Sequence, residues 1–87
     1  MQVDENKKII LKTLAQCARD LRGRKSQFIH ASESDISTSI ISTIERGMKD
    51  PQLTTIFKLA ESYNIKASEL IKMIEEKLPA NFHMIEK

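Results

Sequence analysis

The chain has 87 residues, a formal net charge of +2, 40% hydrophobic residues, and only two Gly and two Pro. That length fits one compact core with little room for a second, and the composition excludes a disordered chain or a turn-rich β fold in favour of an ordered, all-α globule. No stretch approaches the roughly 18 apolar residues of a membrane span, and Met1-Gln2-Val3-Asp4-Glu5 has neither the basic start nor the apolar run of a signal peptide, so a soluble cytoplasmic chain with no membrane partner is expected.

In chain order, Ile10, Leu14, Cys17, Ala18 and Leu21 follow the three-and-four spacing of an amphipathic helix over about residues 4–22. Asp4 and Glu5 suit its positive N-terminal end, Arg19 and Arg22 its negative end, and Gly23 can adopt the left-handed stop. Cys17 is the single cysteine, so no intrachain disulfide forms; it sits on the apolar stripe as a buried structural thiol. A second, short helix starts at the N-cap Ser26 and runs to about Ser34. Asp35 marks a turn, Ser37 caps a third helix through Arg46, and Gly47 stops it. Pro51 enforces an extended Asp50. Leu53, Ile56, Phe57, Ala60 and Tyr63 mark one face of a fourth helix over about residues 53–63. Leu70, Ile71, Ile74 and Leu78 mark a fifth over about residues 67–78, ended by Pro79. Residues 1–79 are thus expected to form one domain and residues 80–87 a tail, with the pair of helices over about 26–46 at its centre.

Charge distribution says more than the total. Arg22, Arg24 and Lys25 precede the second helix, Arg46 and Lys49 follow the third, and acidic residues gather at Asp4-Glu5 and Glu75-Glu76, so basic groups bracket the third helix. With Ile41 and Ile44 facing inward and a step of about 100° per residue, Thr38, Ser39, Ser42 and Thr43 fall on the outer side of that helix. Enzyme chemistry finds little footing. His30 and His83 are the only histidines, no Cys or His pair has metal-ligand spacing, and there is no Gly-rich phosphate loop, so no catalytic residue, metal or cofactor is expected.

From about Arg19 to Leu70 the chain resembles the Cro and lambda-repressor-like (XRE-type) helix-turn-helix family. Gln27 opens the second helix, Ala31 is the small residue at its fifth position, Ile36 follows the turn, and Ile41 and Ile44 anchor the third helix. Glu45-Arg46-Gly47 matches the family's ending of that helix, and Pro51-Gln52-Leu53 with Thr54 to Tyr63 matches its downstream Pro-x-Leu and amphipathic helix. The departures are His30 and Ser34 at places usually apolar, and Asp35 in place of the common turn Gly. Asp tolerates positive φ better than most residues, and His30 is expected as a partly buried neutral ring bonded to a backbone carbonyl, with a pH-responsive role as the alternative.

The resemblance implies a five-helix, lambda-repressor-like fold, with helices two and three forming the helix-turn-helix, and double-stranded DNA as partner. By that resemblance, Thr38, Ser39 and Thr43 contact bases, while Gln27 and Arg46 contact the DNA backbone. Ser37, Lys49, Arg24 and Lys25 join the backbone set on position and charge, and Arg22 is expected to pair with Glu45 across the core. Ser and Thr lack the bidentate geometry that reads guanine or adenine, so discrimination per monomer is modest and a homodimer is implied. Met73 on the fifth helix and Phe82, Met84 and Ile85 in the tail offer its interface; the alternative is that the tail folds back over the first helix. The function expected is transcriptional regulation by a dimeric repressor. An antitoxin or restriction-system controller of the same fold, or a helical protein-interaction module, would carry similar features.

Overall fold

The computed structural model describes residues 2–85, with side chains from Glu5 onward, so the expected role of the Asp4 side chain lies outside the described residues. Five helices follow in order: α1 (Gln2–Arg22), α2 (Gln27–Ser34), α3 (Thr38–Glu45), α4 (Leu53–Ser62) and α5 (Ala67–Lys77). The architecture is all-α, and α1 begins at Gln2, ahead of the position its acidic residues suggested.

Local chemistry sets nearly every boundary. Gly23 closes α1 at φ +62°, and its amide returns to the Arg19 carbonyl at 3.1 Å. Ser26 and Ser37 cap α2 and α3, each Oγ accepting from an amide three residues on, Ile29 and Ile40, at 3.1 Å. Asp35 carries the turn between these helices at φ +56°, the left-handed region an aspartate tolerates. At the end of α3, the Gly47 amide bonds the Ile44 carbonyl (3.0 Å) and the Met48 amide the Thr43 carbonyl (3.0 Å), a Schellman stop. The same pattern ends α4, with Asn64 at φ +61° and the Ile65 amide on the Ala60 carbonyl at 3.1 Å; the sequence places the end of this helix at about residue 63 without identifying Asn64 as its stop. Glu69 accepts from the Lys66 amide at 2.9 Å, fixing the start of α5.

The core gathers Leu14, Cys17 and Ala18 of α1, Ala31 of α2, Ile36 of the turn, Ile41 and Ile44 of α3, Ile56, Leu59 and Ala60 of α4, and Leu70 and Ile74 of α5. The apolar stripes of the outer helices differ from expectation. On α1, Leu11 and Ala15 are buried, while Ile10 and Leu21 are only half-buried, because this helix packs against both α3 and α5 and its inner face is wider than one stripe. On α4, Leu59 is buried while Phe57 and Leu53 are exposed. That helix packs on α2 and α5 through Ile56, Leu59 and Ala60; Phe57 is one step off this face, and Leu53 is in the first turn beyond its partners. On α5, Leu70 and Ile74 face inward and Ile71 is exposed at the edge. Cys17 is fully buried, and burial pushes its thiol pKa up, the setting of an unreactive structural cysteine.

The segment after α5 runs beside α1. Phe82 is half-buried and shares an open groove of about 600 Å³ with Ile10, Leu11, Ile71 and Leu78, while Ile85 and His83 border a second hollow with Asn6 and Ile9. No helix among the described residues is long and apolar enough to cross a membrane.

Candidate nucleic-acid interface

Helices α2 and α3 meet through the left-handed turn at Asp35, with Ala31, Ile36, Ile41 and Ile44 filling the angle between them. Behind them lies a single buried carboxylate. Glu45, at the C-terminal end of α3, is 3% exposed, a burial that demands partners. Arg22 supplies a fork: Nε donates to Oε2 at 2.7 Å and Nη2 to Oε1 at 2.8 Å. Gln27 Nε2 adds a bond to Oε1 at 2.9 Å, and Arg22 Nη1 donates to the Lys25 carbonyl at 2.5 Å. One carboxylate therefore joins α1, α2 and α3. Burial alone would raise its pKa, but the bonds from Arg22 and Gln27 and the guanidinium charge outweigh it and leave Glu45 below the usual carboxylate value. The hydrogen bond to Glu45 in turn raises the Arg22 pKa.

Arg19 completes the clamp. Its guanidinium donates to the Glu45 backbone carbonyl and, through Nη2, to Gln16 Oε1 at 2.9 Å, so a cation closes the negative end of α3. From the sequence, Arg19 is expected only at the end of its own helix. Its spacing of three from Arg22 puts both cations on one side of α1, a signal that becomes readable once α3 is known to end there.

The outer face of α3 is different in kind. Thr38 and Ser39 are exposed, Ser42 and Thr43 are half-buried, and no long polar side chain rises among them. Thr43 turns its hydroxyl back onto its own helix, 3.0 Å from both the Ser39 and Ile40 carbonyls. Arg46, exposed just past the helix, folds back with Nε 3.3 Å from the Ser42 carbonyl, and Lys49 is half-buried nearby. The remaining residues expected at a DNA backbone divide between free and engaged groups. Arg24 is exposed; Lys25 forms an ion pair with Glu33 at 2.5 Å; Gln27 has its amide committed to Glu45; the Ser37 Oγ caps α3. The structure thus gathers Thr38, Ser39, Thr43, Ser37, Arg46 and Lys49 around one helix, with Arg24, Lys25 and Gln27 at the start of its neighbour.

His30 differs from expectation in its partner. The ring is 3% exposed, stacks on Tyr63 with centroids 4.9 Å apart, and places Nε2 2.8 Å from Ser62 Oγ instead of a backbone carbonyl. Ser62 spends its own proton on the Leu59 carbonyl at 2.6 Å, so its oxygen accepts and His30 carries its proton on Nε2. The last turn of α4 has moved the acceptor from main chain to side chain, which sequence spacing within α2 could not reveal. The His30 Nδ1 and the Tyr63 hydroxyl are buried without a hydrogen-bond partner among the described residues. Burial lowers the His30 pKa from its ordinary value and raises that of Tyr63. Among the described residues no three His, Cys, Asp or Glu side chains come together in a metal-binding group.

Comparison with protein-family models finds a match to the helix-turn-helix family over residues 30–70, from the middle of α2 through α3 and α4 to the start of α5. The matched stretch holds Ala31, Ile36, Ile41, Ile44, Glu45-Arg46-Gly47 and Pro51-Gln52-Leu53, and it supports the resemblance to the Cro and lambda-repressor-like, XRE-type helix-turn-helix family of DNA-binding regulators. No curated protein and no solved structure matches the chain.

Proposed function

We propose that the protein is a sequence-specific duplex-DNA-binding repressor that acts as a homodimer, with residues 1–79 as its DNA-binding domain and residues 80–87 as an appended tail. The observation that carries this reading is the contrast within α3: a helix whose inner end is held by the Glu45 network and whose outer face presents the small polar side chains of Thr38, Ser39, Ser42 and Thr43 beside a half-buried Ile40. Side chains this short let a helix backbone lie deep in the major groove, where base edges are exposed. In this role Thr38, Ser39 and Thr43 meet bases. Arg46 and Lys49 meet phosphates on one side of the groove. On the other side, Arg24, Lys25 and the first amides of α2 beside Gln27 do the same, since the N-terminal amides of a helix attract an anion. The Ser37 hydroxyl, an acceptor toward Ile40, still has its proton to donate to a phosphate.

A reader with no bidentate side chain gains specificity by doubling, two copies lying roughly 34 Å apart on a two-fold site. The exposed Ile71, Met84 and Ile85, with Met73 half-buried on the same helix as Ile71, support an interface through α5 and the tail. Bound across a promoter, such a dimer blocks access to it. The test is selection of bound duplexes from a random pool at near-physiological salt, followed by titration of the enriched duplex against scrambled DNA. A two-fold-symmetric site, bound with a steep salt dependence of about −0.9 in log–log slope per phosphate contacted, is the expected result. An absence of enrichment overturns it.

A further inference from the structure

Resting on the DNA-binding reading above, the geometry points to a specific mode of readout: we infer that α3 recognises thymine through its 5-methyl group and draws its sequence preference chiefly from that contact. The inference starts from where the hydroxyl of Thr43 goes. With Oγ1 3.0 Å from the Ser39 and Ile40 carbonyls, the side chain's polar atom is engaged by its own helix, and the group left for a partner is the γ-methyl. Beside it lies a shallow hollow lined by Ser39, Ile40, Thr43, Met48, Lys49 and Asp50. Ile40 is half-buried, so only part of it faces the hollow, whereas Met48 is 70% exposed at the end of the Schellman stop and presents a flexible thioether there. Three apolar groups thus border one side of the recognition helix.

The longer side chains that could read a base by hydrogen bonds already have partners, and the exposed hydroxyls of Thr38 and Ser39 lack bidentate geometry. The Gln27 amide, the one side chain on α2 or α3 able to bond adenine in bidentate fashion, donates to Glu45 at 2.9 Å. Arg46 folds back onto the Ser42 carbonyl, and Asp50, which could accept from cytosine, faces Lys7 at 3.6 Å. What the major groove offers to methyl groups and a thioether is the thymine methyl, the one apolar feature distinguishing a base pair there. Lys49 at the rim of the hollow supplies the phosphate contact that would seat it.

The test uses the duplex enriched in the selection and replaces its thymines one at a time with deoxyuridine, which removes only the methyl group. Affinity is expected to fall about fourfold at each thymine seated against Thr43 and Met48, the fold-change of leaving one carbon group unburied, and to stay level at thymines outside the groove face. Thr43→Ser, which keeps the hydroxyl and removes the methyl, should abolish the thymine-over-uracil preference at one position per half-site, while Thr43→Val should keep that preference. Deoxyuridine tolerated at every position of a duplex that remains specifically bound overturns methyl readout and leaves the DNA-binding reading standing. No enriched duplex overturns both.

Discussion

The two sides of α3 solve opposite problems with the same eight residues. Its inner side holds Ile41, Ile44 and Glu45, all nearly sealed from solvent, and the polar atoms there are paired across three helices. Its outer side holds Thr38, Ser39, Ser42 and Thr43, with no inter-helix bond on the exposed Thr38 or Ser39. The difference shows how a small domain can present a weakly functionalised surface with defined geometry: the order resides in the anchored side, and the exposed side adds shape and a few hydroxyls and methyls. Coupling between the sides is mechanical, because Glu45 and Arg19 fix the end of the helix from which Arg46 and Lys49 depart.

Breaking the inner side gives the largest effect. Glu45→Ala strands the Arg22 guanidinium, itself largely buried, and removes the acceptor of Gln27. Removing one partner of a buried pair costs about 3–5 kcal/mol, a large share of the stability of a domain this size. Urea unfolding followed by far-ultraviolet circular dichroism should place the midpoint of this variant well below that of the parent chain. An unchanged midpoint would mean that the network contributes nothing net.

Acid should expose the same side. The folded pKa of Glu45 is depressed, so its contribution is present above the ordinary carboxylate value of 4.5 and is lost as pH falls through the folded value. The folded pKa of His30 is also lowered, from 6.5, so the unfolded chain takes up that proton first and stability begins to fall as pH drops below about 6.5. The groups around the ring are Glu45 of α3, Arg22 and Lys25 near the end of α1, Glu33 of α2, and Tyr63 with Ser62 at the end of α4. Glu45 and Glu33 favour the charged ring while Lys25 and Arg22 oppose it, and burial outweighs all four. In a pH series of unfolding curves, His30→Phe is expected to remove the upper part of the decline and leave the lower, Glu45-linked part in place.

Much of this was legible in the sequence, for reasons that differ by element. The capping serines Ser26 and Ser37 and the stops Gly23 and Gly47 act through bonds within a few residues of themselves, so local chemistry was enough to find them. The Arg22 and Glu45 pair was accessible through the family pattern that ends α3. What local patterns missed was set by packing. Leu53 and Phe57 fit a helical stripe as well as Leu59 does, and only the positions of α2 and α5 decide that Leu59 is buried and Phe57 exposed. The partner of His30 is likewise a serine 32 positions away, brought near by the angle between α2 and α4. The commitment of Gln27 to Glu45 occupies a side chain that sequence reasoning assigns to DNA alone.

A smaller effect separates the start of α3 from its end. Ser37→Ala removes the acceptor of the Ile40 amide and should cost about 1 kcal/mol, the usual value of an N-cap side chain. Ser26→Ala makes the same change at α2. If both variants lose similar stability while Ser37→Ala loses more DNA affinity, Ser37 serves as cap and phosphate donor together; equal losses in both properties would reduce it to a cap.

The smallest change in stability should accompany a change in specificity alone. Thr38→Ala and Ser39→Ala alter exposed side chains without a buried partner, and such changes usually stay within about 0.5 kcal/mol. Their unfolding midpoints should coincide with that of the parent chain. If the outer face reads bases, the same variants enrich a relaxed set of duplexes in the selection. Arg46→Ala and Lys49→Ala should instead weaken every duplex alike and reduce the salt slope by about 0.9 for each phosphate no longer neutralised. Because Thr38 and Ser39 are exposed and take no part in the Glu45 network, a variant at either position that leaves folding untouched reports on recognition alone. Uniform loss across sequences for Thr38→Ala and Ser39→Ala would assign both residues to the DNA backbone and leave base readout to the half-buried end of the helix, at Thr43 and its apolar neighbours.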